Sequence, residues 1–197
     1  MVTRALGGYR VAVKVVFAAW LITCLSACSS EIGSGEWYTD WDIAGGCTSP
    51  QGGDVRTSGA ETRVDVCAAV GRDTWIWVTY GAPWCSASKS QAQQIRAFVD
   101  RAPPSVLAYA VLTSGDQPFS PATTAHAREW ARFYGLPASN VLTEQSSRTV
   151  PQHLLIGPSG RTYYRYVGFL RSSEIEELLD EFRQRIRAPD VRSLPLP

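Results

Sequence analysis

Lysine and methionine are almost absent from this chain: Lys14 and Lys89 are the only lysines and Met1 the only methionine among 197 residues. Arginine carries the rest of the positive charge, a bias that reflects genome base composition and by itself excludes nothing. Charge is also sparse and balanced. Asp, Glu, Lys and Arg make up 19% of the residues, the formal net charge is +1 and no basic run occurs, so the chain has no field that would gather nucleic acid. That class of partner is excluded. Histidine is limited to His126 and His153, whereas a metal centre needs ligands clustered at short spacing. No metal and no cofactor is expected. What the chain does have is apolar material: 45% hydrophobic and 11% aromatic, enough for one core at a length that suits a single domain.

The N-terminus carries Arg4, Arg10 and Lys14 without an acidic residue, then the apolar run Val15 to Leu25, then Ser26, Ala27 and Cys28. A basic start, an apolar stretch of about ten residues and a small-residue cleavage region make a secretory signal, too short for a comfortable membrane span. Leu25-Ser26-Ala27-Cys28 resembles the bacterial lipobox, in which the cysteine is lipidated and becomes the first residue of the mature protein. The resemblance implies an acyl (palmitate-type) anchor at Cys28, attachment to the cell envelope and, since Ser29 rather than Asp follows, the periplasmic face of the outer membrane in a Gram-negative host. An ordinary signal peptide with a chance cysteine is the alternative. Loss of residues 1–27 removes three positive charges and no negative ones, leaving 16 basic and 18 acidic residues and a net charge of −2.

Residues 28–36 are rich in Ser and Gly and read as a flexible tether. A domain is expected over residues 37–187, with its core at about 60–186, followed by a loose Pro-rich tail over 188–197. From Trp37 to Val70 the pattern suggests short strands joined by turns, with alternation around Thr62 to Val66. Thr74 to Tyr80 is an apolar, β-branched and aromatic run, as in a strand buried on both faces. A helix is expected over 86–102, a strand from Ser105 to Thr113, and a helix capped by Ser120 with Pro121 behind it, running to Tyr134 and stopped by Gly135. A short strand around Asn140 to Thr143 follows, then a hairpin of His153 to Ile156 with Thr162 to Val167. Ser173 and Glu176 read as a capping box for a last helix. The expected architecture is α/β: a central mixed β-sheet, parallel crossovers first and an antiparallel hairpin after them, flanked by helices on both faces, with an N-terminal β extension.

The apolar strand runs into Ala82-Pro83-Trp84-Cys85, where a helix begins. A cysteine at a helix N-terminus sits among unpaired N–H groups at the positive end of the dipole, which favours thiolate over thiol. Cys85 is therefore the candidate nucleophile. Trp84-Cys85 after a strand, the βα units, Thr149-Val150-Pro151 opening a hairpin and the final amphipathic helix together resemble the thioredoxin superfamily, and in particular its exported TlpA-like thiol–disulfide oxidoreductases. The resemblance implies a thioredoxin-like fold, a cis Pro151 that shapes the site, Trp84 and Val150 as substrate-binding neighbours, and thiols or disulfides of proteins or small molecules as substrates. The sequence departs from the family at two places. Ser88 stands where the family's second, resolving cysteine belongs, so the site reads C-x-x-S. A hydroxyl there is expected to bond the Cys85 thiolate, but it cannot displace a mixed disulfide. Thr79, six residues before Cys85, replaces a buried carboxylate of many thioredoxins.

Three readings of Cys85 stay open: a monothiol nucleophile that relies on an external thiol for release, a nucleophile resolved by distant Cys47 or Cys67, and a leftover thiol in a degenerate binding or assembly module. Cys47 and Cys67 flank a Gly-rich segment that would gain from a staple in an oxidising compartment, and parity then leaves Cys85 free. A Cys47–Cys67 bridge is the favoured pairing. His126 is expected in solvent, and the orientation of His153 does not follow from alternation alone.

Overall fold

The computed structural model of the chain describes residues 36–38, 47, 53–144 and 149–184. The expected signal peptide, the lipidation site Cys28, nearly all of the tether and the Pro-rich tail lie outside the described residues. The elements run β1 (Glu36–Tyr38), β2 (Val55–Ser58), β3 (Arg63–Asp65), β4 (Trp75–Gly81), α1 (Ser86–Val99), β5 (Val106–Leu112), α2 (Thr124–Tyr134), β6 (Val141–Thr143), β7 (Gln152–Ile156), β8 (Thr162–Val167) and α3 (Ser172–Gln184). One eight-stranded mixed sheet has the order β1-β8-β7-β4-β5-β6-β2-β3. All seven residues of β4 are buried, because it pairs parallel with β5 on one side and antiparallel with β7 on the other. A strand without an exposed face needs no polar alternation.

The helices occupy one face of the sheet, not both as the sequence suggests. Trp75 and Trp77 of β4 share a single core cluster with Ile95 and Phe98 of α1, Ala127 and Trp130 of α2, and Leu178 and Phe182 of α3. The reason is handedness: β4, β5 and β6 step across the sheet in one direction, so two right-handed crossovers must place α1 and α2 on the same side. On the opposite face Ile76, Val78, Tyr80, Tyr109, Val111, Leu142 and Ile156 pack with Val66, from the 3₁₀ turn Val66–Ala69 after β3. Cys47 and Cys67 are disulfide-bonded across 20 residues of sequence and join that covering segment. Replacing both by alanine is expected to cost about 3 kcal/mol of stability through loop-closure entropy in the unfolded chain. Urea unfolding measures this, and an unchanged midpoint would refute it.

The helix ends differ from the expected ones for local reasons. α1 ends at Val99, with Asp100 at its C-cap, and Arg101 and Ala102 continue as turns whose N–H groups both return to the Phe98 carbonyl. α2 is capped by Thr123, not Ser120: Thr123 Oγ1 accepts from the His126 N–H, and His126 Nδ1 accepts from the Thr123 N–H at 3.1 Å. Ser120 instead closes a turn by donating to the Gln117 carbonyl at 2.8 Å. At α3 the Glu174 carboxylate accepts from the Arg171 N–H at 2.6 Å, so the cap lies two residues earlier than expected, while Glu176 pairs with Arg101 at 2.7 Å.

Candidate functional site

At the end of β4 the chain turns through Ala82, whose carbonyl accepts the Cys85 N–H at 3.1 Å, and Cys85 becomes the N-cap of α1 with φ −89° and ψ 119°. Its carbonyl starts the helix by accepting the Lys89 N–H, while its side chain makes no capping bond and is left to face the neighbouring loop. There Sγ donates to the Val150 carbonyl at 3.7 Å. The next peptide bond, Val150–Pro151, is cis. Cys85 is fully buried, at 0% exposure, and it is the free cysteine among the described residues. Trp84 is half-buried beside it, and its Nε1 donates to Ser114 Oγ at 2.7 Å, which fixes the indole against the loop after β5. The structure thus brings Cys85 together with Val150 and Pro151, while Trp84, next to Cys85 in the chain, is tied to the loop after β5.

Ser88 departs from its expected place in this group. It is buried, at 2% exposure, but its hydroxyl has no hydrogen-bond partner and so does not bond Cys85. The side chain lies instead in the interface between α1 and the sheet: a Cβ added at Gly81 would stand 3.3 Å from Ser88 Cβ, so the glycine in β4 leaves room for the serine. Cys47 and Cys67 are also absent from the site. Cys47 N–H bonds the Gly160 carbonyl in the β7–β8 turn, which lies at the start of β4, since Ile76 pairs with Ile156 and Tyr80 with Gln152. Cys85 follows the other end of that strand, and seven residues of strand span roughly 20 Å. The distant-resolver reading therefore has no support in the geometry.

Beneath the site lies a polar relay that the sequence did not reveal. Trp77 Nε1 donates to Thr79 Oγ1 at 3.1 Å, and Thr79 Oγ1 lies 3.1 Å from His153 Nδ1. His153 Nε2 meets the Gly168 carbonyl at 3.2 Å. Because a carbonyl only accepts, Nε2 carries the proton, Nδ1 is the acceptor and Thr79 donates to it. Burial strips solvent from the imidazole and lowers its pKa to about 3, with the Gly168 bond opposing the shift. A neutral, fully bonded histidine thus stands across from Thr79, where alternation alone could not place it. Gly168 secures both ends of this arrangement, since its N–H bonds the Pro151 carbonyl at 3.0 Å. At φ 143° a Cβ there would come 2.8 Å from the Tyr166 hydroxyl oxygen, so only glycine fits. No sequence motif marks Gly168. His126 is bound into the α2 cap with only part of its side chain exposed, and the described residues contain no cluster of His, Cys, Asp or Glu fit to hold a metal.

Solved structures with this arrangement of sheet and helices are known. The pneumococcal exposed lipoprotein thioredoxin of Streptococcus pneumoniae aligns with 66% of this chain and 98% of its own, at 18% identity and a TM-score of 0.53. A DsbF homologue from Corynebacterium diphtheriae aligns with 75% of this chain and 92% of its own, at 8% identity and a TM-score of 0.59. The fold is thioredoxin-like. A thiol:disulfide interchange protein of the thioredoxin family from Chlorobium tepidum covers 66% of the chain, at 10% identity and a TM-score of 0.51. No protein-family model and no curated protein matches the chain. In these thioredoxin-like terms, Cys85 occupies the N-terminus of the helix that follows the central strand, with a cis-proline loop against it.

Proposed function

We propose that this chain is an exported, lipid-anchored thioredoxin-like protein that acts as a monothiol thiol–disulfide oxidoreductase or isomerase through Cys85. The observation that carries the reading is the Cys85 thiol at the start of α1, set directly against the Val150 carbonyl and cis Pro151, with the other described cysteines bonded to each other. The Cys85 thiolate attacks one sulfur of a substrate disulfide, a Cys85–substrate disulfide forms, and the other sulfur leaves as thiolate and takes a proton from water. Trp84, Val150 and Pro151 border the incoming sulfur. With Ser88 in place of a second thiol, release falls to an external thiol or to another cysteine of the substrate, and the latter path is isomerisation. The proposed organisation is a signal peptide over 1–27, an acylated Cys28 with a tether to residue 36, the domain over 37–187 and a loose tail. Two of the solved structures above are of a lipoprotein thioredoxin and a thiol:disulfide interchange protein, which supports an envelope location and this chemistry.

A non-catalytic binding or assembly module is the second reading, and one observation favours it: Cys85 is wholly buried, with its thiol proton engaged by the Val150 carbonyl. Incubation with excess glutathione disulfide separates the two. The monothiol reading expects one glutathione on Cys85 by intact mass, persisting until an external thiol is added, and no adduct on a Cys85→Ala variant. A native protein that stays unmodified, while the unfolded chain is modified, establishes the binding module. Labelling with a fatty-acid precursor tests the anchor, and loss of label in Cys28→Ser is the expected result.

A further inference from the structure

Between α1 and α2 the helical face opens into a groove of about 480 Å³ that begins at Pro83, two residues before Cys85. Its α2 wall is aromatic. The Trp130 and Tyr134 rings lie 4.6 Å apart and Phe133 meets Tyr134 edge-on at 4.8 Å. Phe133 is 73% exposed, so much of this wall faces solvent. The rim is polar and uneven in charge: Lys89 and Gln93 stand one turn apart on α1, whereas Asp116 and Glu129 stand on the opposite side. His126 lines the groove beside them, with its Nε2 3.5 Å from the Asp116 carboxylate, so Glu129 is the carboxylate and Lys89 the ammonium of this groove that lack an ion-pair partner among the described residues. The groove reaches toward the site at Pro83, and the loop that anchors Trp84 through Ser114 also carries Asp116, another of its lining residues, and is closed by a Gly115 to Ser120 backbone bond. That loop presents a further exposed ring, Phe119, 80% exposed.

We infer that this groove receives the polypeptide flanking the substrate cysteine, with an aromatic or large apolar side chain seated on Phe133 and Tyr134 and an arginine or lysine directed at Glu129 and Asp116. The inference names the substrate class of the site proposed above and rests on Cys85 being its nucleophile. The wall that carries the rings selects the cation: Glu129 stands one turn before Phe133 on α2, so a guanidinium seated on that wall meets an unpaired carboxylate and the face of an aromatic ring, whereas Lys89 lies across the groove on α1. The aromatic wall selects the neighbour, since burying one large side chain against it removes apolar surface of both from water.

The experiment uses the full chain and short cysteine peptides, each activated as a mixed disulfide with thionitrobenzoate. Cys85 Sγ attacks the peptide sulfur, the Cys85–peptide disulfide forms, the peptide–thionitrobenzoate bond breaks, the coloured thionitrobenzoate leaves as thiolate, and the thiol proton of Cys85 goes to water. One peptide carries Phe and Arg beside the cysteine, a second Phe and Glu, a third Ser and Arg. Each rate is divided by the rate of the same protein with neutral dipyridyl disulfide. The Phe–Arg peptide is expected to react about tenfold faster than the Phe–Glu peptide, a difference of about 1.4 kcal/mol. Glu129→Lys should reverse that order, and Phe133→Ala should abolish the advantage of Phe over Ser. Equal rates for the three peptides, with normal reaction toward dipyridyl disulfide, overturn the groove assignment while the nucleophile stands. Failure to react with dipyridyl disulfide overturns the nucleophile itself, and the groove assignment with it.

Discussion

Lowering the pH from 7 to 4 is expected to remove about 3 kcal/mol more stability from the wild-type chain than from a His153→Leu variant. The sign follows from burial. His153 is neutral in the folded state because desolvation lowers its pKa to about 3, whereas in the unfolded chain it titrates near the ordinary value of about 6.5. Between those values the unfolded state binds a proton that the folded state refuses, so stability falls as the pH drops through 6.5 and goes on falling to about 3, at about 1.4 kcal/mol per pH unit. The flanking rings do not share this titration. Burial pushes Tyr164 upward and Tyr166 up to about 12, so both stay protonated throughout the acid range. Surface carboxylates contribute to both proteins alike and cancel in the difference. The variant starts from lower stability because the Gly168 carbonyl loses its donor, so the slope against pH is the quantity to compare. Urea unfolding of both proteins at pH 7, 5.5 and 4 supplies it, and parallel slopes would show that His153 is protonated inside the fold.

The second large effect is expected from Ser88→Cys. In a capping box the N-cap and N3 side chains each reach the other residue's backbone N–H, so the two side chains stand close together on the first turn. Cys85 is the N-cap of α1 and Ser88 its N3 residue. Ser88 now lies against Gly81, and a thiol at this position must rotate about χ1 to face Sγ. An introduced thiol should therefore form a reducible disulfide with Cys85, and it should shorten the life of any Cys85 mixed disulfide on the order of a hundredfold, because an intramolecular thiol acts at a high effective concentration. Thiol titration before and after mild reduction reads the first effect, and the rate of glutathione release reads the second. Persistence of both free thiols under oxidation would show that residues 85 and 88 do not adopt the facing arrangement.

Much of the site was readable because its signals are local. A strand buried on both faces shows itself as the unbroken run from Trp75 to Tyr80, and a helix N-terminus as the change of period after Cys85. Pro151 is legible only through the family resemblance, since its neighbour Val150 is 65 residues from Cys85 and the sequence carries no periodic trace of the contact. Other features depend on distances that no pattern encodes. His153 is fixed by a cross-strand neighbour, Thr79, and by a carbonyl beyond the next strand, Gly168. Ser88 reads as a thiolate partner through the family motif, yet its side chain occupies the space that Gly81 leaves. Helix caps were misplaced for a similar reason: Ser120 competes for a turn with Gln117, so Thr123 takes the cap. The single helical face was in principle available, because one-directional strand order and crossover handedness dictate it, but the order of β4, β5 and β6 had to be known first.

What matters most is whether Cys85 truly has no partner in its own chain. Non-reducing peptide mapping of the mature protein, before and after oxidation with glutathione disulfide, tests that directly. The expected map shows Cys47 joined to Cys67 in both samples, with Cys85 free at first and joined to glutathione afterwards. A peptide linking Cys85 to Cys47 or to Cys67 in either sample would contradict the monothiol site and assign the chain an internal resolving cysteine.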